Sequence, residues 1–347
     1  ASSVKAPAAQ AAATEAAPTE PVPTEPAPTA PMEVHTMAAV DYAFDEDTFF
    51  WGQERYMRKD VKTLTFQSSL QNVPSSAWDV SEAGDGSVLA WMDNGDLYVA
   101  ADGAIAPNSN ASWLFYKFVN LKTINFGNCF VTSSVTQMSD MFEGCSSLIS
   151  LDLSGFDTSS VTGMYAMFFG CSNLISLDLT GFDTSCVTTM ASMFSGCSSL
   201  TALDLASFDT SSVTTMESMF SGCSSLTTLD LTSFGTSNVT TMESMFYECK
   251  SLVSLNLTNF DTSSVTRMDF MFEKCNSLTS LDLSSFDTSN VTYMNWMFSW
   301  CSSLTSLNLS RFDASAVAGM YSMFYGCDNL PNIICSDSKI LNEFRNR

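Results

Sequence analysis

A Met-Phe pair returns every 26 residues from Met141-Phe142 to Met323-Phe324, eight times without a slip, and the apolar and polar positions around it return too. The unit from Leu148 to Asn173 shows what this pattern builds. Leu148, Leu151 and Leu153 form a Leu-x-x-Leu-x-Leu segment in which Asp152 separates the last two leucines, the alternation of a short strand with one face buried. Phe156 anchors the following turn, and the polar run Asp157-Thr158-Ser159-Ser160 leads to Val161. Met164, Met167, Phe168 and Cys171 then fall at i, i+3, i+4 and i+7, which places them on one stripe of a short helix capped by Thr162. Where Thr214 precedes Glu217 and Thr240 precedes Glu243, the spacing predicts a capping box.

A helix of about nine residues is marginal alone, since isolated helices need roughly 12 to 15. Stacking lets each copy lend its neighbour an apolar face. The expected fold is therefore an α/β repeat, a leucine-rich-repeat-like solenoid with one short parallel strand and one short helix per 26-residue coil. Leu114-Phe115, Phe118 and Leu121 echo the unit at a spacing of 27, a degenerate first copy. Upstream, Val61 to Phe66 alternates, and Ser87 to Met92 and Asp96 to Ala101 flank Asn94-Gly95, a type I′ hairpin signal. Leu330, Ile333, Ile334 and Cys335 imitate one further strand. The expected organisation is a disordered Ala/Pro/Thr/Glu-rich stalk over 1–40, a β-rich cap over 41–112, the solenoid over 113–335, and a C-terminal cap or truncated end over 336–347.

Charge and composition narrow the function. A formal charge of -23 argues against nucleic acid, because phosphate neutralisation needs clustered Lys and Arg. The sole histidine, His35, falls in the expected stalk, which leaves the folded part without imidazole for Ser-His-Asp or Cys-His catalysis or for a zinc site. No phosphate-cradling Gly-rich loop, nucleophile elbow or calcium-loop motif is present, and no apolar run approaches the 18 or so residues of a membrane span. The expectation is a chain with no catalytic residues, no metal, no cofactor and no membrane insertion. A hydrolase would need a cleft with converging carboxylates, which a repeating stack does not obviously provide.

The units LISLDLSGFDTSSVTGMYAMFFGC and LTSLDLSSFDTSNVTYMNWMFSWC resemble the BspA-like leucine-rich surface proteins with their 26-residue bacterial surface protein repeat. The preceding WDVSEAGDGSVLAWMDNGDLYVAADG is similar to the segment that leads into such arrays, so the likeness covers about residues 50 to 335. The resemblance implies a secreted or cell-surface protein, adhesin-like, whose partner is a protein or glycan of a host or neighbouring cell. The alternative is a passive structural spacer or self-associating surface-layer component.

Three ladders invite sharper readings. Cys145, Cys171, Cys197, Cys223, Cys249, Cys275, Cys301 and Cys327 share one slot; packed coils hold successive Cα atoms beyond the roughly 7 Å a disulfide tolerates, so they read as small buried hydrophobes, with metal or redox roles as the rival. Asp152, Asp178, Asp204, Asp230 and Asp282, and the set that follows each Phe (Asp157, Asp183, Asp209, Asp261, Asp287, Asp313), read as solvating and turn-capping residues, with calcium bridging as the alternative. The column Thr158, Thr184, Thr210, Thr236, Thr262 and Thr288 suggests an ice-binding array, against which the adjoining acids argue.

Variation is more informative than repetition. On the outward helix positions the early copies carry Ser, Ala and Glu, whereas the later ones carry Phe270, Tyr293, Trp296, Trp300, Tyr321 and Tyr325. At 100° per residue Tyr293, Trp296 and Trp300 lie within about 60° of one another, away from the Met294, Met297, Phe298 and Cys301 stripe. These six are the candidate ligand-binding residues, since clustered exposed aromatics mark recognition surfaces. The competing expectation is that the C-terminal tail folds over them.

Overall fold

The computed structural model describes residues 32–40 and 45–347. The greater part of the expected stalk, like residues 41–44, lies outside them. Its last part does not behave as a stalk: Val34–Thr36 forms strand β1, parallel to β6 (Ala104–Ala106), and His35 Nε2 lies 3.3 Å from the Asp102 carbonyl.

Five strands make the sheet ahead of the repeats. In chain order they are β2 (Thr63–Gln67), β3 (Trp78–Asp79), β4 (Leu89–Asp93), β5 (Asp96–Ala100) and β7 (Thr123–Asn125), arranged β3-β4-β5-β2-β7. Leu64 and Phe66 of β2 and Leu97 and Val99 of β5 are buried, the period-2 face that the sequence alternation demands. The hairpin turns at Asn94 and Gly95, both at positive φ (52° and 100°), which a type I′ turn requires. Strand β7 belongs to the degenerate first copy and pairs in parallel with β2, so the sheet runs directly into the repeats.

Beyond β7 the chain is a stack of coils with identical interiors. Met167, Phe168, Cys171, Leu174 and Val187, and their counterparts 26 residues on, have no solvent exposure. Phenylalanines superpose from Phe142 through Phe168, Phe194, Phe220, Phe246, Phe272 and Phe298 to Phe324, with successive ring centroids 5.5–5.8 Å apart and planes within 12°. Short parallel pairs, β8 (Ser150–Leu151) with β9 (Ser176–Leu177) and β10 (Ser280–Asp282) with β11 (Ser306–Asn308), stand where the leucine segments predict strands. A second parallel line runs through every coil, linking Gln137, Gly163, Thr189, Thr215, Thr241, Arg267, Tyr293 and Gly319.

The helix expected in each coil does not form. The segment carrying the Met-Phe pair is a run of hydrogen-bonded turns in which alternate N–H groups point in different directions. In the first full coil, the N–H groups of Met138, Asp140, Phe142 and Gly144 donate to the Gly163, Tyr165, Met167 and Phe169 carbonyls of the next coil at 2.7–2.9 Å. Those of Met141, Glu143 and Cys145 close back on Met138, Asp140 and Phe142. Two residues per run, here Asp140 and Gly144, take left-handed φ values of 56° and 71°, which no α-helix accommodates. The stripe of Met, Phe and Cys is buried as a helix would bury it, but half the backbone donors tie coil to coil. The capping boxes are absent for the same reason: Thr214 Oγ1 donates to the Thr188 carbonyl one coil back, 3.2 Å away.

Among the described residues the α-helix is α1 (Ser338–Arg345), capped by Asp337, whose carboxylate accepts the Lys339 and Ile340 N–H groups. It closes the stack. Ile340 and Phe344 are buried, and Phe344 meets the last ring of the column, Phe324, edge-on at 5.3 Å.

Candidate functional site: an aromatic end to the variable face

The turn runs place their variable side chains on one face, and that face changes along the stack. After Tyr165 and Phe169 come small residues such as Ala191, Ser192 and Gly196, then charged ones such as Glu217, Glu243, Arg267 and Lys274, and finally the aromatics. Tyr293, Trp300, Tyr321 and Tyr325 remain 44%, 44%, 63% and 49% exposed, and Phe270 and Trp296 are half-buried. Helix α1 sits on the Phe324 end of the core, so the tail does not cover them.

The structure brings four of the six together. The Trp296 ring stands nearly perpendicular to Tyr321 (6.5 Å, 84°) and Tyr325 (6.4 Å, 71°), and Trp300 to Tyr325 (5.4 Å, 83°). Tyr293 lies on the ladder line with the Arg267 guanidinium 5.6 Å from its ring, and Phe270 occupies the Trp296 slot one coil earlier. Backbone geometry adds what sequence could not. Phe270, Trp296 and Trp300 sit at φ of 58°, 58° and 59°; the slot of the first two holds Asp, Ala or Ser in the other full coils, also at left-handed φ, and that of Trp300 holds Gly in five and Glu248 or Lys274 in two. Holding a bulky residue in the left-handed region costs on the order of 1–3 kcal/mol. A Cβ built on Gly326 would come within 2.9 Å of the Trp300 ring, so the indole rests against that glycine.

The model of one family, described as Mycoplasma protein of unknown function, DUF285, matches residues 109–229, 171–255 and 252–338, well over half of the chain. The chain belongs to the DUF285 family. No curated protein matches. Among solved structures the chain is similar to a leucine-rich repeat protein from Bacteroides ovatus ATCC 8483, at 16% identity over 86% of this chain and 92% of that one, with a TM-score of 0.25. It is also similar to a leucine rich cell surface protein from Faecalibacterium prausnitzii A2-165, at 18% identity over 79% and 97% of the two chains, with a TM-score of 0.23. Both likenesses are remote.

The remaining ladders of this DUF285 chain are engaged internally. Thr158 is buried, and its hydroxyl donates to the Asp183 carbonyl and accepts the Asp183 N–H, both at 2.9 Å. Every threonine of the column is buried and donates its hydroxyl to a carbonyl of the next coil, so the column has no face to offer ice. Asp152 and Asp157 each accept both the N–H and the hydroxyl of the serine two residues ahead, which holds their carboxyls below the ordinary range. Each cysteine of the ladder donates its thiol to a phenylalanine carbonyl of the previous coil, as Cys171 does to Phe142 at 3.2 Å, and no cysteine is in a disulfide. Burial pushes thiols such as Cys197 and Cys249 up to about 12. Among the described residues no group of three or more His, Cys, Asp or Glu side chains could hold a metal ion, and no helix is long and apolar enough to cross a membrane.

Two features escaped sequence reasoning. Tyr165 and Phe169 are 46% and 40% exposed in the slots of Tyr321 and Tyr325, so the early copies are not uniformly small or polar. Reading the units in 26-residue register reveals it. Beside them, burial followed by the neighbouring Asp140 pushes the Glu143 carboxyl up to about 8.

Proposed function

We propose that this chain is a non-enzymatic, adhesin-like protein, secreted or held at a cell surface, which binds a protein or glycan of a host or neighbouring cell through the aromatic end of its variable face. The observation that carries this reading is the exposed aromatic cluster itself, with Trp300 held at left-handed φ in a slot that five other coils fill with glycine, the residue that avoids the strain. Nothing in the stack requires these rings, because their slots face away from the core. Tyr and Trp are the side chains that supply most binding energy at protein surfaces. The resemblance of the units to surface-protein repeats supports the location.

The experiment is capture from a host-cell surface extract by the immobilised full chain, compared with a Trp296→Ala, Trp300→Ala double variant and with a chain lacking one interior coil, residues 189–214. A binder loses its captured partner in the double variant and keeps it in the coil deletion. Equal capture by all three chains refutes the aromatic site and favours the spacer reading.

A further inference from the structure

The aromatic end has a polar floor that the stack does not use. Ser299, between Trp296 and Trp300 in sequence, is fully buried, and its hydroxyl has no hydrogen-bond partner. Glu273 occupies the same slot one coil earlier and Tyr325 the same slot one coil later. Glu273 is 8% exposed, and burial raises its carboxyl above the ordinary range. The nearest cation in sequence, Lys274, is committed elsewhere: its ammonium donates to Glu248 and to the Tyr247 hydroxyl, both at 2.8 Å. A buried hydroxyl without a partner is costly enough that native structures rarely keep one idle.

The neighbouring coils show what kind of group is missing. On the same face, the Lys274 ammonium lies 4.9 Å from the centre of the Tyr247 ring, and the Arg267 guanidinium 5.6 Å from that of Tyr293. Each of those tyrosines meets a cation from an adjacent coil. The one Lys or Arg between residues 275 and 338 is Arg311, which lies in the turn after β11 and acts on Asp287 rather than on these rings. In the last two coils Trp296 and Trp300 meet the tyrosines edge to face at 71° to 84°, while Trp300, Tyr321 and Tyr325 keep much of their surface open to solvent.

From these observations, and resting on the binding reading above, we propose that Trp296, Trp300, Tyr321 and Tyr325 form a box for a cationic side chain, a lysine ammonium or arginine guanidinium presented by a protein partner, with Glu273 and Ser299 receiving its N–H groups. Cations bind aromatic faces within about 6 Å of the centroid, and several rings share one cation when it is drawn out of water. The carboxylate supplies the charge-assisted bond at the floor. A chain of formal charge -23 also draws basic partners towards its surface before contact.

The test is a titration of the full chain with tetralysine at fixed ionic strength, read by tryptophan fluorescence, with maltotriose as an uncharged comparison. Wild type is expected to give a saturable change with tetralysine and none with maltotriose. Glu273→Gln and Tyr325→Leu should each weaken binding about tenfold, a step of 1.4 kcal/mol, whereas Glu217→Gln, two coils further down the same face, should leave it within about twofold. Thermal melts establish that the variants are folded. Equal weakening by Glu217→Gln, or no saturable response to tetralysine, overturns the cation box. A response to maltotriose alone overturns it while leaving the binding reading intact. Failure of both probes, together with undiminished capture by the tryptophan double variant, removes the binding reading as well.

Discussion

Replacing Thr236 with valine tests whether the buried threonine column, rather than apolar packing alone, locks coil to coil. The Thr236 hydroxyl donates to the Asp261 carbonyl at 2.9 Å and accepts the Asp261 N–H at 2.8 Å, and the side chain is buried. Valine keeps the shape and removes both bonds. Each bond contributes about 0.5–1.5 kcal/mol net, and an N–H and a carbonyl left partly buried without partners cost about 1–3 kcal/mol more. The expected loss is therefore about 2–6 kcal/mol. Serine keeps the hydroxyl and loses one buried methyl, a loss of about 1 kcal/mol. Urea unfolding followed by far-ultraviolet circular dichroism measures both. Because each coil contacts only its neighbours, the valine variant should also broaden the transition as the array begins to melt on either side of the weakened junction. A valine variant at least as stable as the serine variant would refute the reasoning, since it would mean that the methyl and not the hydroxyl does the joining.

Thiol chemistry offers a second check: Cys186 is exposed while the eight ladder cysteines are buried, so a disulfide-exchange reagent at neutral pH should titrate Cys186 at once, half-buried Cys335 more slowly, and the ladder only when urea opens the stack. Glu143 gives a pH test. Its folded value near 8 lies above the ordinary 4.5, so its protonated form stabilises the fold below about pH 4.5, and that contribution is lost as pH rises through about 8. Glu143→Gln should therefore gain on wild type by about 1 kcal/mol, the shift being screened at a half-exposed site, when urea midpoints at pH 9 are compared with those at pH 4.5. Finally, Gly222→Ala and Gly326→Ala each place a Cβ at a left-handed φ (72° and 74°) and should each cost about 1–2 kcal/mol in thermal unfolding, but only the second displaces the Trp300 ring and should reduce capture.

Much of the interior was legible because a strict period leaves few ways to bury the same side chains. The Met, Phe, Cys and Leu positions go inside as the pattern demands, and Asn94-Gly95 makes the hairpin its residue types specify. The helix was misread for a physical reason. Positions i, i+3, i+4 and i+7 share a face in a helix and also in this run of turns, so periodicity alone cannot separate them. The left-handed slot in the middle of the supposed helix holds Asp140, Ala166, Ser192 and their counterparts, none of them a glycine that would announce it, and the glycine of Gly144, Gly170, Gly196, Gly222 and Gly326 near its end equally suits a helix C-cap. The outward rings were found by their failure to repeat, a criterion indifferent to the local conformation. Ser299 was invisible, because an ordinary serine becomes informative only when its hydroxyl is seen to lack a partner.

The wiring of alternate donors across the stack has a further consequence. Every coil offers its successor the same N–H donors and its predecessor the same carbonyls, so one whole unit can be lost or duplicated by recombination and the two new neighbours still fit. Each such event shifts the tryptophan-bearing tip relative to the leading sheet by one ring spacing, 5.5–5.8 Å, and leaves the tip itself untouched. Copy number thus sets the distance between the leading sheet and the tip in small equal steps, with the tip itself unchanged.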